Sequence, residues 1–251
     1  MIDKLRFMTL RTAGRMVNGI KHTPTRVRDW DRFWREFNRY RRLESDTHRR
    51  ALHLVAPHVD DATATTAIEP IYFYQDAWAF ERIVARRPAR HIDVGSHHKY
   101  VAFLSKVVPT TMVDLRPLSV PLDSLEFIEG SILDLPFADQ SLESISSLCV
   151  VEHIGLGRYG DELDPDGSEK AIAELVRVVA SGGRLYLSVP VSREYVVAFN
   201  EARSFPRDYI LEQVAPLELV EEHYIVGDVF QEAYADGPPF AVTGLFELRR
   251  P

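Results

Sequence analysis

At 251 residues, with 45% hydrophobic and 27% charged side chains, the chain can bury one large core and has the makeup of a globular protein. It contains no uninterrupted apolar run of about eighteen residues, which argues against a bilayer-spanning helix, and its single cysteine, Cys149, excludes an internal disulfide and fits a reducing, cytoplasmic compartment. The net charge of −7 is unevenly spread: residues 1–60 hold 14 Lys/Arg against 7 Asp/Glu and residues 61–251 hold 16 against 30, so the acidic body disfavours general nucleic-acid binding.

In chain order, "MIDKLRFMTLRTAGRMVNGI" carries Lys4, Arg6, Arg11 and Arg15 through its middle, which breaks the apolar stretch that a secretion signal needs. Within "DWDRFWREFNRYRRL" the residues Trp30, Phe33, Trp34, Phe37 and Tyr40 recur at helical spacing with arginines on the other face, predicting an amphipathic helix. Its apolar stripe needs a cover. Docking on the main domain is the plain reading; a substrate lid, an oligomer contact or a peripheral membrane contact are the alternatives. Residues 1–60 are therefore read as a basic helical N-terminal extension, and residues 61–251, opening on the small, polar linker "DDATATTAIEP", as the main domain. A second helix is expected over Gln75 to Arg86, ending before Pro88.

From Arg90 onward, "HIDVG", "TMVDL", "LEFIEG", "SISSLCV" and "GRLYLSVP" are short apolar runs separated by loops or helix-capable segments. They predict parallel strands covered on both faces, a Rossmann-like doubly wound α/β sheet. "SEKAIAELVRVVASGG" is the strongest helix, with Ser168 as cap, Ile172, Leu175, Val176 and Val179 as buried stripe, and Gly182 and Gly183 as stop. A helix near Pro206 to Ala215 and two strands, "LELVEEHYIV" and "FAVTGLFELR", complete the domain, plausibly as a hairpin.

The order of these pieces resembles the class I S-adenosylmethionine-dependent methyltransferases, whose pattern often reads D-x-G-x-G-x-G, an acid closing strand two, G-D-x-x-x-L-P-F, a strand ending in E-H, and R-V-L-K-P-G-G. Here the counterparts are Asp93 and Gly95, Asp114, "GSILDLPF", Glu152 and His153, and "RVVASGG". The resemblance implies S-adenosylmethionine as cofactor. Gly95, with Ser96 and His97 behind it, would form the turn that the cofactor approaches; Asp93 would orient that turn or take the cofactor's ammonium. Asp114, followed by Leu115, would hold the ribose hydroxyls, Ser131 and Ile132 would edge the adenine, and Leu148 and Cys149 would floor the sulfonium site. The sequence departs from the pattern where His97 and Lys99 replace the second and third glycines and Ser131 replaces the acid after Gly130.

"IDVGS", "VVEHIGLGRYGDELDPDG" and "VAFNEARSFPRDYIL" further resemble a poorly characterised methyltransferase-like family associated with bacterial surface-glycan synthesis. That resemblance implies a saccharide or related small molecule as acceptor, with Asn200 and Arg203 matching the F-N-A-H-R segment of relatives and Ala202 standing in place of its histidine. A sugar hydroxyl needs its proton removed, a task that suits His153 near neutral pH, with Glu152 orienting it or substituting for it. Arg158 and Tyr159 lie in a long, polar, glycine-punctuated segment suited to covering a substrate. No metal site is expected: the frame Glu162, Asp164, Asp166, Gly167 begins like a calcium loop, but its twelfth position is Ala173. The rival readings are a methyltransferase for a carboxylate or amine, and a non-catalytic Rossmann-like module of a glycan-assembly complex.

Overall fold

The computed structural model describes residues 23–49, 55–234 and 237–251, so the basic first twenty residues lie outside it. Two compact units divide the chain between Ala67 and Ile68. In the first, α1 (Thr23–Leu43) is the expected amphipathic helix and a short α2 (Asp46–Arg49) follows. Trp30, Phe33, Trp34 and Phe37 form a run of edge-to-face ring contacts along one side of α1. Arg32 donates from Nη2 to the carbonyl of Val59 at 3.0 Å, tying the helix to the segment behind it.

The second unit is an eight-stranded sheet. Its strands are β1 (His91–Val94), β2 (Thr110–Asp114), β3 (Leu125–Glu129), β4 (Leu142–Leu148), β5 (Val179–Val191), β8 (Glu218–Val226), β9 (Val229–Gln231) and β10 (Val242–Arg249), in the order β3-β2-β1-β4-β5-β10-β8-β9. The small strands β6 (Val196–Ala198) and β7 (Ala202–Ser204) pair separately as a hairpin. β3, β2, β1, β4 and β5 run parallel, and β10 is inserted antiparallel between β5 and β8. The last strands therefore form a wider arrangement than a plain closing hairpin: β8 turns back through β9, and β10 returns through the middle.

Helices cover both faces, as the apolar runs of the strands require. Ile92, Val94, Ile145, Leu185 and Leu187 pack with Ile172, Leu175 and Val176 of α5 (Gly167–Val178) and with Ile210 of α6 (Arg207–Gln213). On the opposite face Met112, Leu148, Tyr186 and Leu245 meet Trp78 and Ile83 of α3 (Pro70–Arg86) and Val101 and Leu104 of α4 (His98–Leu104). The alternation of Leu185, Tyr186 and Leu187 between the layers is the two-residue strand period at work. Each fully buried leucine or isoleucine contributes about 1.5–3 kcal/mol.

Several helix limits differ from those expected. α3 starts five residues before Gln75, because the Glu69 carboxylate accepts the Tyr72 N–H at 2.7 Å and Pro70 occupies the first turn, where no amide donor is needed. Ser168 does not cap α5. It lies inside the helix, fully buried, and its Oγ donates to the carbonyl of Val151 at 2.7 Å. Gly182 and Gly183 do not stop α5 either: the chain becomes extended at Val179, and both glycines belong to β5.

A buried polar chain joins the first strand to the fourth. His91 is fully enclosed, with Nδ1 2.8 Å from Ser144 Oγ and Nε2 2.9 Å from Ser146 Oγ, and Ser146 donates to Asp93 Oδ2 at 2.6 Å. Because Ser146 has given its proton to Asp93, it must accept from His91, which places the ring proton on Nε2. Burial pushes the His91 pKa down to about 3 from the usual 6.5. Above pH 6.5 the ring is neutral in folded and unfolded chains alike and adds no slope. Below it the unfolded chain binds a proton that the folded chain refuses, so stability falls with pH by about 1.4 kcal/mol per unit. Urea unfolding of the parent and of His91→Gln at pH 6.5 and pH 5 is expected to show the parent's advantage shrinking by about 2 kcal/mol, while carboxylates common to both cancel.

Candidate functional site

The carboxyl ends of β1, β2 and β4 and the loops behind them enclose a cleft of about 110 Å³. Gly95, Asp114, Leu115, Ile132 and Cys149 line it together with His153 and Tyr159, and Val113, Arg116, Gly130 and Val150 complete most of the wall. Ligands of open α/β sheets bind at this edge, where the strand order reverses between β1 and β4.

Gly95 has φ +72°, and an added Cβ would come within 3.0 Å of Val150 Cγ1. Both facts demand glycine: the left-handed turn is cheap only without a side chain, and the space is already taken. Asp114 Oδ1 accepts the Arg116 N–H at 2.9 Å, which curls the chain after β2 and fixes the carboxylate at the cleft wall. Cys149 is a non-glycine residue with φ +52°, an unusual backbone held by its N–H to the Ser188 carbonyl at 3.0 Å. Burial pushes its thiol well above the ordinary range, so it is protonated and unsuited to be a nucleophile.

His153 ends a short 3-10 turn (Val151–His153). Its Nδ1 lies 2.7 Å from the carbonyl of Glu201, in the bend between β6 and β7. Arg158 Nη1, which only donates, lies farther from Nδ1, at 3.3 Å; the shorter contact, to a carbonyl that only accepts, puts the proton on Nδ1 and leaves the Nε2 lone pair as the basic one. Nε2 stands 3.7 Å from Oε1 of Glu152. Burial, assisted by the charge of Arg158, lowers the pKa of His153, and burial raises that of Glu152 to about 8. Arg158 Nη1 shares the Glu201 carbonyl at 3.0 Å. Tyr159 stands edge-on to His153 at 5.8 Å between ring centroids, with the guanidinium carbons of Arg116 and Arg158 at 4.6 and 5.2 Å from its own centroid.

Not every sequence-predicted residue reaches this cleft. Asp93 is fully buried and spends Oδ1 on the Ser96 N–H at 3.1 Å and Oδ2 on Ser146, so it orients the turn and does not face a ligand. Ser96 supports the turn too, its Oγ accepting the Leu148 N–H at 3.0 Å. Leu148 is buried in the α3–α4 layer and is not part of the cleft lining. Ser131 Oγ turns back to accept the Leu133 N–H at 3.1 Å, leaving Gly130 and Ile132 at the wall. His97 lies against α3, its ring 4.9 Å from that of Tyr72 and its Nδ1 3.7 Å from Asp76 Oδ2.

On the substrate side, Asn200 is exposed in the β6–β7 bend. Arg203 is a correction: it is 2% exposed, and its guanidinium donates to Ser168 Oγ at 3.0 Å, to the Asp164 and Pro165 carbonyls at 3.1 and 3.2 Å and to the Ile154 carbonyl. It clamps the base of the covering loop, with no hand left for a substrate. Acids in that loop are likewise internal: Asp161 accepts backbone N–H groups of Gly155 and Tyr159 at 2.7 and 3.2 Å, and Asp164 pairs with Lys170 at 2.6 Å. Among the described residues no three His, Cys, Asp or Glu side chains gather as metal ligands would.

Sequence reasoning missed Arg116 and Val150 of the cleft lining. A residue two after a strand-end acid and one packing on a required glycine are position signals that could have found both. Nothing in the helical pattern marked Tyr72 or Asp76.

The strand order β3-β2-β1-β4-β5-β10-β8, with β10 antiparallel between β5 and β8, is the α/β class I methyltransferase fold. Solved structures agree. The chain is similar to the N-methyltransferase NodS from Bradyrhizobium japonicum in complex with S-adenosyl-L-homocysteine (TM-score 0.53, 15% identity, 72% of this chain and 88% of that one). It is also similar to a TehB-like SAM-dependent methyltransferase from Corynebacterium glutamicum (0.50, 18%, 71% and 88%) and to the [4+2]-cyclase SpnF (0.50, 15%, 70% and 81%). The cyclase shows that this fold hosts more than one reaction, so likeness at this level gives the fold alone. A family model described as "Caenorhabditis protein of unknown function, DUF268" matches residues 132–210. No curated protein matches the chain.

Replacing Arg203 by Met strands the buried Ile154 carbonyl and removes the bonds to the part-buried Asp164 and Pro165 carbonyls and to Ser168, so a loss of about 3 kcal/mol in urea unfolding is expected, against about 0.5 kcal/mol or less for Arg158→Met, whose side chain is at the surface.

Proposed function

We propose that the chain is an S-adenosylmethionine-dependent methyltransferase acting on an oxygen of a saccharide or related small molecule. One observation carries this reading: a required glycine after β1, a carboxylate after β2 and a histidine with a free basic nitrogen after β4 all open on one cleft. The residues fit the cofactor. Gly95 offers backbone that a side chain would block, Asp114 has one oxygen that no described residue bonds and can take ribose hydroxyls, and Ile132 gives an apolar edge to a base. When bound, the cofactor would supply a methyl group already activated by its sulfonium charge.

The chain's own residues then have three tasks: to position the acceptor, to exclude water and to take a proton. His153 Nε2 accepts the hydroxyl proton, its tautomer fixed by the Glu201 carbonyl. Arg158 and Tyr159, with Asn200 in the neighbouring bend, supply a cationic and aromatic rim against which a sugar ring can lie. The cleft volume of about 110 Å³ is below the roughly 300–1,000 Å³ of small-molecule pockets, so the Arg116–Tyr159 contact opens to admit an adenosyl group. The glycan acceptor rests on the resemblance of the sequence segments, and a cytoplasmic site of action on the single Cys149 and the charges that interrupt the first twenty residues. Among the described residues no helix is long and apolar enough to cross a membrane.

Calorimetry with S-adenosylmethionine tests the first half of the reading, and transfer of labelled methyl to a panel of sugars, carboxylates and amines tests the second. Asp114→Ala is expected to weaken cofactor binding by about tenfold to a hundredfold, the worth of charge-assisted hydrogen bonds. His153→Ala should leave that affinity unchanged and slow transfer to a hydroxyl by about 10²–10⁴. A parent protein that binds no cofactor would sink the proposal; label appearing on carboxylates or amines alone would replace the acceptor.

A further inference from the structure

Two carboxyls that act on the cleft-lining Cys149 lack a strong counter-charge. Asp76 on α3 and Glu152 in the 3-10 turn flank Cys149, one of the cleft-lining residues. A chain of contacts joins the first to the thiol: Gln75 donates from Nε2 to Asp76 Oδ1 at 3.3 Å, Ser188 Oγ donates to Gln75 Oε1 at 2.8 Å, and Ser188 Oγ lies 3.5 Å from Cys149 Sγ. Glu152 follows Cys149 by three residues, and each carboxyl acts electrostatically on the thiol.

Neither acid has a lysine or arginine at ion-pair distance among the described residues. The nearest basic group to Asp76 is His97, at 3.7 Å, and to Glu152 is His153, also at 3.7 Å. Burial lowers the pKa of both rings, so they are poor counter-ions. Arg158 reaches Glu152 only through longer-range attraction. Burial lifts Asp76 to about 7 and Glu152 to about 8, as expected of carboxyls kept from water without a cation.

A second observation is independent of charge. Glu152 is 2% exposed and its Oε2 has no hydrogen-bond partner, and the buried Nδ1 of His97 beside Asp76 has none either. Orphaned polar atoms of this kind are rare in a folded interior and call for a missing partner. The carboxylate after β1 does not fill the role, because both oxygens of Asp93 are committed to the protein.

We propose that Asp76 and Glu152 form the seat for the cationic methionine end of S-adenosylmethionine, Asp76 accepting its ammonium and Glu152 facing its sulfonium. This rests on the methyltransferase reading and adds residues to it. The two acids divide the work by charge. The demethylated product keeps the ammonium but has a neutral sulfur, so Asp76 holds substrate and product cofactor alike, whereas Glu152 favours the form that still carries its methyl group.

Isothermal calorimetry on the full chain with three ligands separates the roles: S-adenosylmethionine, S-adenosylhomocysteine, and 5′-methylthioadenosine, which lacks the amino-acid tail. Asp76→Asn is expected to weaken the first two by about tenfold or more and leave the third within twofold, a control that also reports an intact fold. Glu152→Gln should weaken S-adenosylmethionine by about tenfold and S-adenosylhomocysteine much less. Unchanged affinities in both variants overturn the inference while leaving the methyltransferase reading in place, and so does an Asp76→Asn loss that is equal for the tail-less nucleoside. A parent that binds none of the three ligands removes the reading beneath it.

Discussion

One buried carboxylate governs the geometry of the cleft. Asp93 sits where β1 ends, at full burial, and an unpaired charge there would be prohibitive; burial lifts its pKa to about 6, and hydrogen bonds from Ser146 and Ser96 oppose that rise. These bonds are also the fasteners of the site. The contact with Ser146 holds the tip of β1 to β4, and the contact with the Ser96 amide sets the turn containing Gly95. Ser96 and Ser147 add cross-ties, to the Leu148 amide and the Val94 carbonyl. With β1 and β4 pinned at this spacing, Gly95 and Cys149 face a common gap.

What covers the gap is organised from below by a second buried charge. Arg203 gathers carbonyls of Ile154, Asp164 and Pro165, the two ends of the glycine-rich loop, so that only the stretch around Tyr159 projects over the cleft. Gly155 belongs to the same device: with φ +79°, an added Cβ would fall 2.1 Å from the Asp164 carbonyl oxygen. Residues 132–210, the part matched by the family model, contain the loop, its clamp and the β6–β7 hairpin. The same segment holds β4, β5 and the cleft residues Ile132, Cys149, Val150, His153, Ile154 and Tyr159.

The sheet was legible because its signal is one-dimensional. Short apolar runs ending in small or acidic residues mark β1, β2, β3 and β4 without knowledge of any contact, and the Arg86 limit of α3 follows from the proline two residues on. The roles of Asp93, Ser96, Ser131 and Leu148 were not legible, since position at a strand end does not say whether a side chain points at the gap or beneath it. Arg203 misled for a related reason: a guanidinium looks the same in sequence whether it meets a ligand or four protein oxygens. Ser168 resembled a cap until its hydroxyl found a carbonyl seventeen residues earlier. Asp76 of α3 carries no local mark at all, for its link to Cys149 runs through Gln75 and Ser188, far along the chain.

The histidine at the mouth takes its orientation from main chain, since the atom that fixes its tautomer is the carbonyl oxygen of residue 201 and not the Glu201 side chain. Such a dependence is blind to spelling and sensitive to length. Exchanges of side chain at 201 would drift freely through descendants of this protein, whereas one residue gained or lost between β6 and β7 would swing the imidazole out of line. Indels in that bend, more than letters, are where a lineage of this fold would tune or abandon its chemistry.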